Sequence, residues 1–448
     1  MAFVFAGHGG QWPGMGVELM AGSEAFREEL VRIDEAVRRR VGWSVLNALR
    51  APEEFAPLGR TEFLQPVLFA VNASLAAAWR ALGVRPDAVV EHSLGEIAAA
   101  YSVGALALDE AVTVVTGRGQ AVVPLVGKGG MLSLELPPAR VEELLAPFTG
   151  RLFVAAVNSA RSTAVSGEAD ALAELRDRLD GRGIAARPLT TPFASHTPLM
   201  DPLRAELLDR FSGVRGVRTP TPLYSAVLAE PVPGDLLDAD HWYANLREPV
   251  RFADTIRRML DDGYRYFVEL SPHPSLTSSI EAVAAEAGID AVGIGSLRRQ
   301  SDGHDVLLRG LGSCARPGTR PTGRCCSRRA AGSTCRPTPS PANATGSRPP
   351  RPPPRPADHR SWARIWRPAT YPTGTSSRRT STSTTAASPI SPTIGSPVRS
   401  GCPAPPSSTW PWRPRPRCGA AAKYSWPTSG SYSRCRWRWT GPYGCNWS

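Results

Sequence analysis

No cysteine occurs in residues 1–310. All eight, Cys314, Cys325, Cys326, Cys335, Cys402, Cys418, Cys435 and Cys445, fall in the remaining C-terminal stretch. A body without thiols has no disulfide framework, and it fits a reducing, cytoplasmic setting. Acidic residues show the opposite gap: residues 311–448 hold 22 Lys and Arg against one acid, Asp358, a net of +21. Residues 1–310 hold 30 Lys and Arg against 39 Asp and Glu, a net of −9, so the +12 of the whole chain comes from the tail. The basic balance is therefore no ground for nucleic-acid or membrane binding by the body. Long apolar runs are missing too. None approaches the roughly 18 residues of a membrane span, and Met1 to His8 carry no basic n-region, so neither a span nor a secretion signal is expected.

Hydrophobic periodicity is scarce in the tail. Residues 348–356 alone hold six prolines and three arginines, and such composition buries too little apolar surface to offset the entropy of ordering. A disordered basic tail is expected over 311–448. The simultaneous gain of Trp and Cys and loss of acids favours out-of-frame reading of a GC-rich gene over a genuine linker. The tail holds no recognisable nucleic-acid-binding module.

In the body, short apolar runs alternate with helical patterns: a strand at Phe3-Val4-Phe5, helices over 26–40 and 65–82, a strand at Val89-Val90, and a helical region over 96–115. Such alternation predicts an α/β sheet layered with helices. Residues 130–190 read as strand (131–134), helix (138–145), two strands (152–157, 162–166), helix (171–179) and strand (184–189), the β-α-β-β-α-β order of a ferredoxin-like unit. The expected fold class is α/β. An α/β-hydrolase-like large subdomain (1–128 and 192–300) holds an inserted ferredoxin-like small subdomain (129–191), ahead of the tail.

The chemistry concentrates in Glu91-His92-Ser93-Leu94-Gly95-Glu96. Ser93 follows an apolar run and precedes a helix-forming segment, so it is placed on a sharp strand-to-helix turn, a nucleophile elbow. A helix N-terminus there aims N–H groups and partial positive charge at a developing oxyanion. Gly95 fits a place where the helix passes close to the preceding strand. Position 91, where G-x-S-x-G asks for a small residue, carries Glu, which is expected either to turn toward solvent or to strain the elbow.

Five ordered segments carry a resemblance: the elbow, Gly7-His8-Gly9-Gly10-Gln11-Trp12-Pro13-Gly14-Met15-Gly16, Gln65-Pro66, Val157-Asn158-Ser159, and Asn245-Leu246-Arg247-Glu248-Pro249-Val250-Arg251-Phe252. Over about residues 2–300 the chain resembles the acyltransferase domains of type I polyketide synthases and, more distantly, malonyl-CoA:acyl carrier protein transacylases. The resemblance implies Ser93 as nucleophile, His196 as its base, the backbone N–H groups of Leu94 and Gln11 as oxyanion donors, and Arg118 as the anchor for a substrate carboxylate, to which its planar fork is suited. It implies a ping-pong transfer from acyl-CoA through a seryl ester to the phosphopantetheine thiol of an acyl carrier protein, alongside other synthase domains, with no metal or redox cofactor. Phe193-Ala194-Ser195-His196 more nearly resembles the methylmalonyl pattern than the malonyl one, and the small Ser195 leaves space for an α-substituent. Phe193, Ser195 and His92 are placed at the substrate. His92 and His273 are also read as local hydrogen-bonding residues, and His8 as a polar wall of the pocket. Two other readings stand beside this one. A serine hydrolase, either an esterase or an editing thioesterase, would share the elbow, although Arg118 and the lack of a clear triad acid between Ser93 and His196 oppose it. The third reading is an inactive synthase fragment serving as a docking module.

Overall fold

The computed structural model describes residues 1–51 and 57–314. In chain order the elements are β1 (Ala2–Phe5), α1 (Leu19–Gly22), α2 (Glu24–Val41), α3 (Val45–Arg50), α4 (Thr61–Ala81), β2 (Ala88–Glu91), α5 (Gly95–Ser102), α6 (Leu108–Ala121), β3 (Gly129–Leu134), α7 (Pro138–Leu145), β4 (Leu152–Ser159), β5 (Ser162–Glu168), α8 (Ala169–Asp180), β6 (Ala186–Pro188), α9 (Arg204–Arg210), β7 (Leu223–Ser225), β8 (Glu230–Val232), α10 (Ala239–Arg247), α11 (Phe252–Asp261), β9 (Tyr266–Leu270), α12 (Thr277–Glu286), β10 (Val292–Gly295) and α13 (Gly303–Cys314).

The larger sheet has the order β10-β9-β1-β2-β7-β8. Its first five strands run parallel and β8 is antiparallel to β7. β1, β2 and β9 are buried along their whole length, so their apolar residues run together instead of alternating, and the single acid in β2 and in β9, Glu91 and Glu269, is buried with them. Phe3 and Phe5 of β1 pack in the core under α2, α4 and α6. Ala2 and Val4 face the opposite core, with Ile256 and Met259 of α11 and Val283 of α12. Phe5 is in register with both Glu91 and Leu270, so β1, β2 and β9 end level. Such a carboxyl edge is where open parallel sheets place their ligands.

The smaller sheet is antiparallel, in the order β4-β5-β3-β6, with α7 and α8 in the β-α-β-β-α-β sequence of elements. It has its own core around Val141, Phe148, Val165 and Leu175. The segment between α10 and α11 is tied to the smaller sheet: Val157 N–H donates to the Val250 carbonyl (3.0 Å) and Val250 N–H to the Ala155 carbonyl (2.9 Å).

Most element ends shift by one or two residues from the sequence expectation, β6 keeping only Ala186–Pro188 of the strand expected over 184–189, and three differences are larger. α4 begins at Thr61, a turn earlier than 65, and carries Pro66 inside it. The helical region expected over 96–115 is two helices, because Gly104 at φ 80° takes the left-handed backbone that ends α5. α13 runs through Cys314, into the start of the span expected to be disordered. The remaining tail expectations lie outside the described residues.

Candidate active site

Ser93 lies two residues beyond the end of β2 and opens the turn into α5, at φ 58°. A non-glycine residue held there costs on the order of 1 kcal/mol or more, so its surroundings must hold it in place. The turn is closed by Gly95 N–H to the His92 carbonyl and Glu96 N–H to the Ser93 carbonyl, both 3.1 Å, and is tied to β1 by His92 N–H to the Phe5 carbonyl, 2.9 Å. A Cβ on Gly95 would come within 2.0 Å of the Phe5 carbonyl oxygen. The close approach expected at Gly95 is therefore to β1, the neighbouring strand, and not to β2. Gly7 is similarly confined, since its Cβ would lie 2.8 Å from the His92 carbonyl oxygen. This packing brings the loop after β1 against the elbow. The Leu94 and Gln11 backbone N–H groups meet no acceptor among the described residues. The Gln11 side chain is spent locally, accepting from Gly9 N–H and donating to the Thr190 hydroxyl, both at 2.7 Å.

His196 reaches Ser93 from 103 residues away, with Nε2 2.7 Å from Oγ. Its Nδ1 is 2.8 Å from the main-chain carbonyl of Glu248. A carbonyl can only accept, so Nδ1 carries the proton and Nε2 is left to accept from the serine hydroxyl. Burial, joined by the positive charge of Arg118, lowers the His196 pKa to about 3 and keeps the imidazole neutral.

Arg118, on α6, is 2% exposed. One Nη donates to Ser93 Oγ (3.3 Å) and the other to Gln65 Oε1 (3.2 Å), while Nε meets no acceptor. Burial lowers its pKa to about 10, still well above neutrality. A buried guanidinium that meets only two neutral oxygens within hydrogen-bond range is suited to receive an anion. His8 Nε2 and Gln65 Nε2 are likewise buried without a partner. Burial, with the Arg118 charge, holds the His8 pKa at about 3.

Glu91 does not turn to solvent, and its own backbone is ordinary. It is fully buried, its φ is not left-handed, and Oε1 accepts the Ala226 N–H at 2.6 Å. Burial and the neighbouring Glu96 push its pKa well up, toward the neutral acid. The larger side chain fits because the main chain just beyond β7 supplies its partner. His92 Nε2 sits 2.9 Å from Asn158 Oδ1 on β4, linking the elbow to the smaller sheet, and its ring tilts against Phe252. Phe193 is fully buried within the larger core, and the Ser195 hydroxyl points at the Met131 sulfur, 3.3 Å away. His273 accepts from Arg299 N–H at 3.3 Å, so its partner is not local as expected but lies 26 residues on, in the segment after β10.

Several residues that the sequence marks only as parts of segments acquire individual contacts in the fold. Asn158 meets His92, Gln65 meets Arg118, and Asn245 Nδ2 donates to the Ser93 carbonyl (2.9 Å) and to Glu96 Oε2 (2.8 Å). Glu96 Oε1 also meets His241 Nε2 at 3.0 Å. Burial raises the Glu96 pKa, but the His241 charge, with bonds from His241, Ser225 and Asn245, brings it below the ordinary value. Burial likewise lowers that of His241, and Glu96 more than reverses the shift. Nothing in the local sequence marks His241, whose partner lies 145 residues away.

The family model described as acyl transferase domain matches residues 2–320. The chain is similar to the polyketide synthase GfsB of Streptomyces halstedii, at 44% identity over 312 residues, 69% of this chain and 6% of that protein. To erythronolide synthase EryA2 of Saccharopolyspora erythraea it is 42% identical over 313 residues, 69% of this chain and 9% of that one. It thus spans less than a tenth of either curated relative. Among solved structures it is similar to the acyltransferase domain from module 8 of the salinomycin polyketide synthase, with a TM-score of 0.67 at 42% identity over 69% of this chain and 73% of that one. It is also similar to a loading acyltransferase from the avermectin modular polyketide synthase, with a TM-score of 0.67 at 39% identity over 70% of this chain and 99% of that one.

Proposed function

Because the chain belongs to the acyl transferase domain family, we propose that it loads a carboxylated extender acyl group, methylmalonyl in preference to malonyl, onto the phosphopantetheine thiol of an acyl carrier protein in polyketide biosynthesis. In this reading the larger sheet is the α/β-hydrolase-like layer that carries the elbow, and the smaller is its ferredoxin-like insert, with subdomain limits at 1–128, 129–191 and 192–300. The observation that supports it best is the convergence of two groups on one oxygen: Ser93 Oγ lies 2.7 Å from His196 Nε2 and 3.3 Å from Arg118 Nη2.

Arg118 takes the free carboxylate of the acyl group, giving up its contact to Ser93 as the substrate enters. Neutral His196 accepts the Ser93 proton as Oγ attacks the thioester carbonyl. The tetrahedral oxyanion is held by the Leu94 and Gln11 N–H groups, which are free to donate. Collapse breaks the C–S bond, and the proton on Nε2 leaves with the CoA thiolate. The carrier thiol then gives its proton to His196 and attacks the seryl ester, and as the C–O bond breaks Ser93 Oγ takes that proton from Nε2, which restores both residues. The charge changes are met by the imidazole, the oxyanion donors and the guanidinium, and the steps require no metal or redox group. The preference for methylmalonyl rests on the small size of Ser195, whose hydroxyl meets the Met131 sulfur.

The test is to incubate the full chain with radiolabelled methylmalonyl-CoA and then add carrier protein, with Ser93→Ala alongside. Label passing from a Ser93 adduct to the carrier is the expected result. Label released as free acid would make the protein a hydrolase, and no Ser93 adduct with any of several acyl-CoAs would make it an inactive fragment.

A further inference from the structure

One end of one helix touches both members of the proposed dyad. From α10, the Asn245 amide donates one proton to the Ser93 carbonyl and the other to Glu96 Oε2. Both partners only accept, so the amide nitrogen must face them. One residue on, the Leu246 carbonyl takes the His196 backbone N–H at 2.9 Å, and the Glu248 carbonyl takes His196 Nδ1–H at 2.8 Å. One turn before Asn245, His241 binds Glu96 on the first turn of the elbow helix. Asn245 is 1% exposed and Glu96 fully buried. An acid–imidazole pair with so little exposure adds little net stability against an apolar substitute, and the better-attested use of such a pair is to specify one arrangement.

Ser93 and His196 also share an uncommon backbone, at φ 58° and 62°. Each is held there by a bond from the same short stretch. Without the Asn245 tie, the Ser93 peptide loses one of the two donors on its carbonyl, the other being Glu96 N–H, and the strained turn can relax toward ordinary extended backbone. An error of about 1 Å in such a pair is enough to cost on the order of 100-fold in rate.

We propose that α10 sets the Ser93–His196 distance, with Asn245 as a positioning residue locked by the buried Glu96–His241 pair. This rests on reading Ser93 as the nucleophile.

The experiment follows the rate at which a fluorophosphonate probe labels Ser93 in the full chain, read by intact mass, together with kcat and KM for acyl transfer. Asn245→Ala is expected to slow both labelling and kcat at least tenfold while KM for acyl-CoA stays within about twofold. His241→Gln keeps an N–H for Glu96 and is expected to retain at least a third of the labelling rate, while His241→Ala falls toward Asn245→Ala. Labelling of Asn245→Ala at the parent rate overturns the proposal. Should that variant not fold, parent-like labelling of His241→Ala overturns it instead. A parent protein that the probe does not label at Ser93 overturns the nucleophile and this inference together.

Discussion

His196 gives its Nδ1 proton to the main-chain carbonyl of Glu248, not to a carboxylate. The group that orients the proposed base is thus independent of the side chain at 248, which points to Arg247 across 3.6 Å and is about half exposed. Glu248→Ala is expected to leave kcat within about twofold of the parent, where loss of an acid that orients a triad histidine costs on the order of 10⁴. A drop beyond tenfold in steady-state transfer would show that the carboxylate takes part.

Arg118→Ala removes the buried cation beside Ser93. A charge-assisted contact of this kind is worth a few kcal/mol, so kcat/KM for methylmalonyl-CoA is expected to fall about 100-fold. Propionyl-CoA, which lacks the carboxylate, should not suffer, and competition between the two substrates reads the change directly. An equal loss for both would remove the carboxylate role.

Glu91 is held as an acceptor for Ala226 N–H. Glu91→Gln keeps an acceptor, and since burial already favours the uncharged acid, stability in urea is expected to stay within about 1 kcal/mol. Glu91→Gly leaves a buried N–H unpaired and a void, for a loss of about 2–4 kcal/mol. The glycine that the elbow pattern asks for is therefore the worse residue in this chain.

Gly95→Ala would set a methyl 2.0 Å from the Phe5 carbonyl oxygen, and a backbone atom cannot swing aside. Overpacking of this severity is expected to cost more than about 3 kcal/mol or to prevent folding. Circular dichroism of the purified variant settles it, and a parent-like melting midpoint would contradict the α5–β1 contact.

Acid should weaken the fold partly through histidine. The folded pKa of His8 is about 3 against 6.5 unfolded, so the unfolded chain binds the extra proton, and stability is lost as pH falls below 6.5. Buried Glu91 and Glu269, whose pKa values are raised, act in the opposite sense. The difference between parent and His8→Gln isolates the histidine. From pH 6.5 to 5 the parent is expected to lose up to about 2 kcal/mol more than the variant in urea titrations. Identical pH slopes would place His8 in contact with solvent.

The elbow was legible because its cues are local: an apolar run, a serine, and a helix-forming segment within a dozen residues. The alternation of elements and the β-α-β-β-α-β order of the small unit were legible for the same reason, since each rests on short-range periodicity. The misses have a common physical cause. Glu91 stands out against a local pattern, but its partner, Ala226, is 135 residues away. Gly95 fits the strand that precedes it in sequence, whereas sheet order puts β1 beside the helix. His241 carries no local mark, and the segment that holds Asn245 gives that residue no task of its own.

By itself the sequence determined which residue types were available and where short-range geometry would place them: a serine on a turn, a fork-shaped cation 25 residues later, and a histidine after the inserted unit. Tertiary structure decided which of them meet. The 2.7 Å between Ser93 and His196, the carbonyl that selects the histidine tautomer, and the burial that keeps that histidine neutral all depend on contacts across 50 residues or more. No periodicity encodes such contacts, because they are set by strand order and by the packing of helices on the sheet.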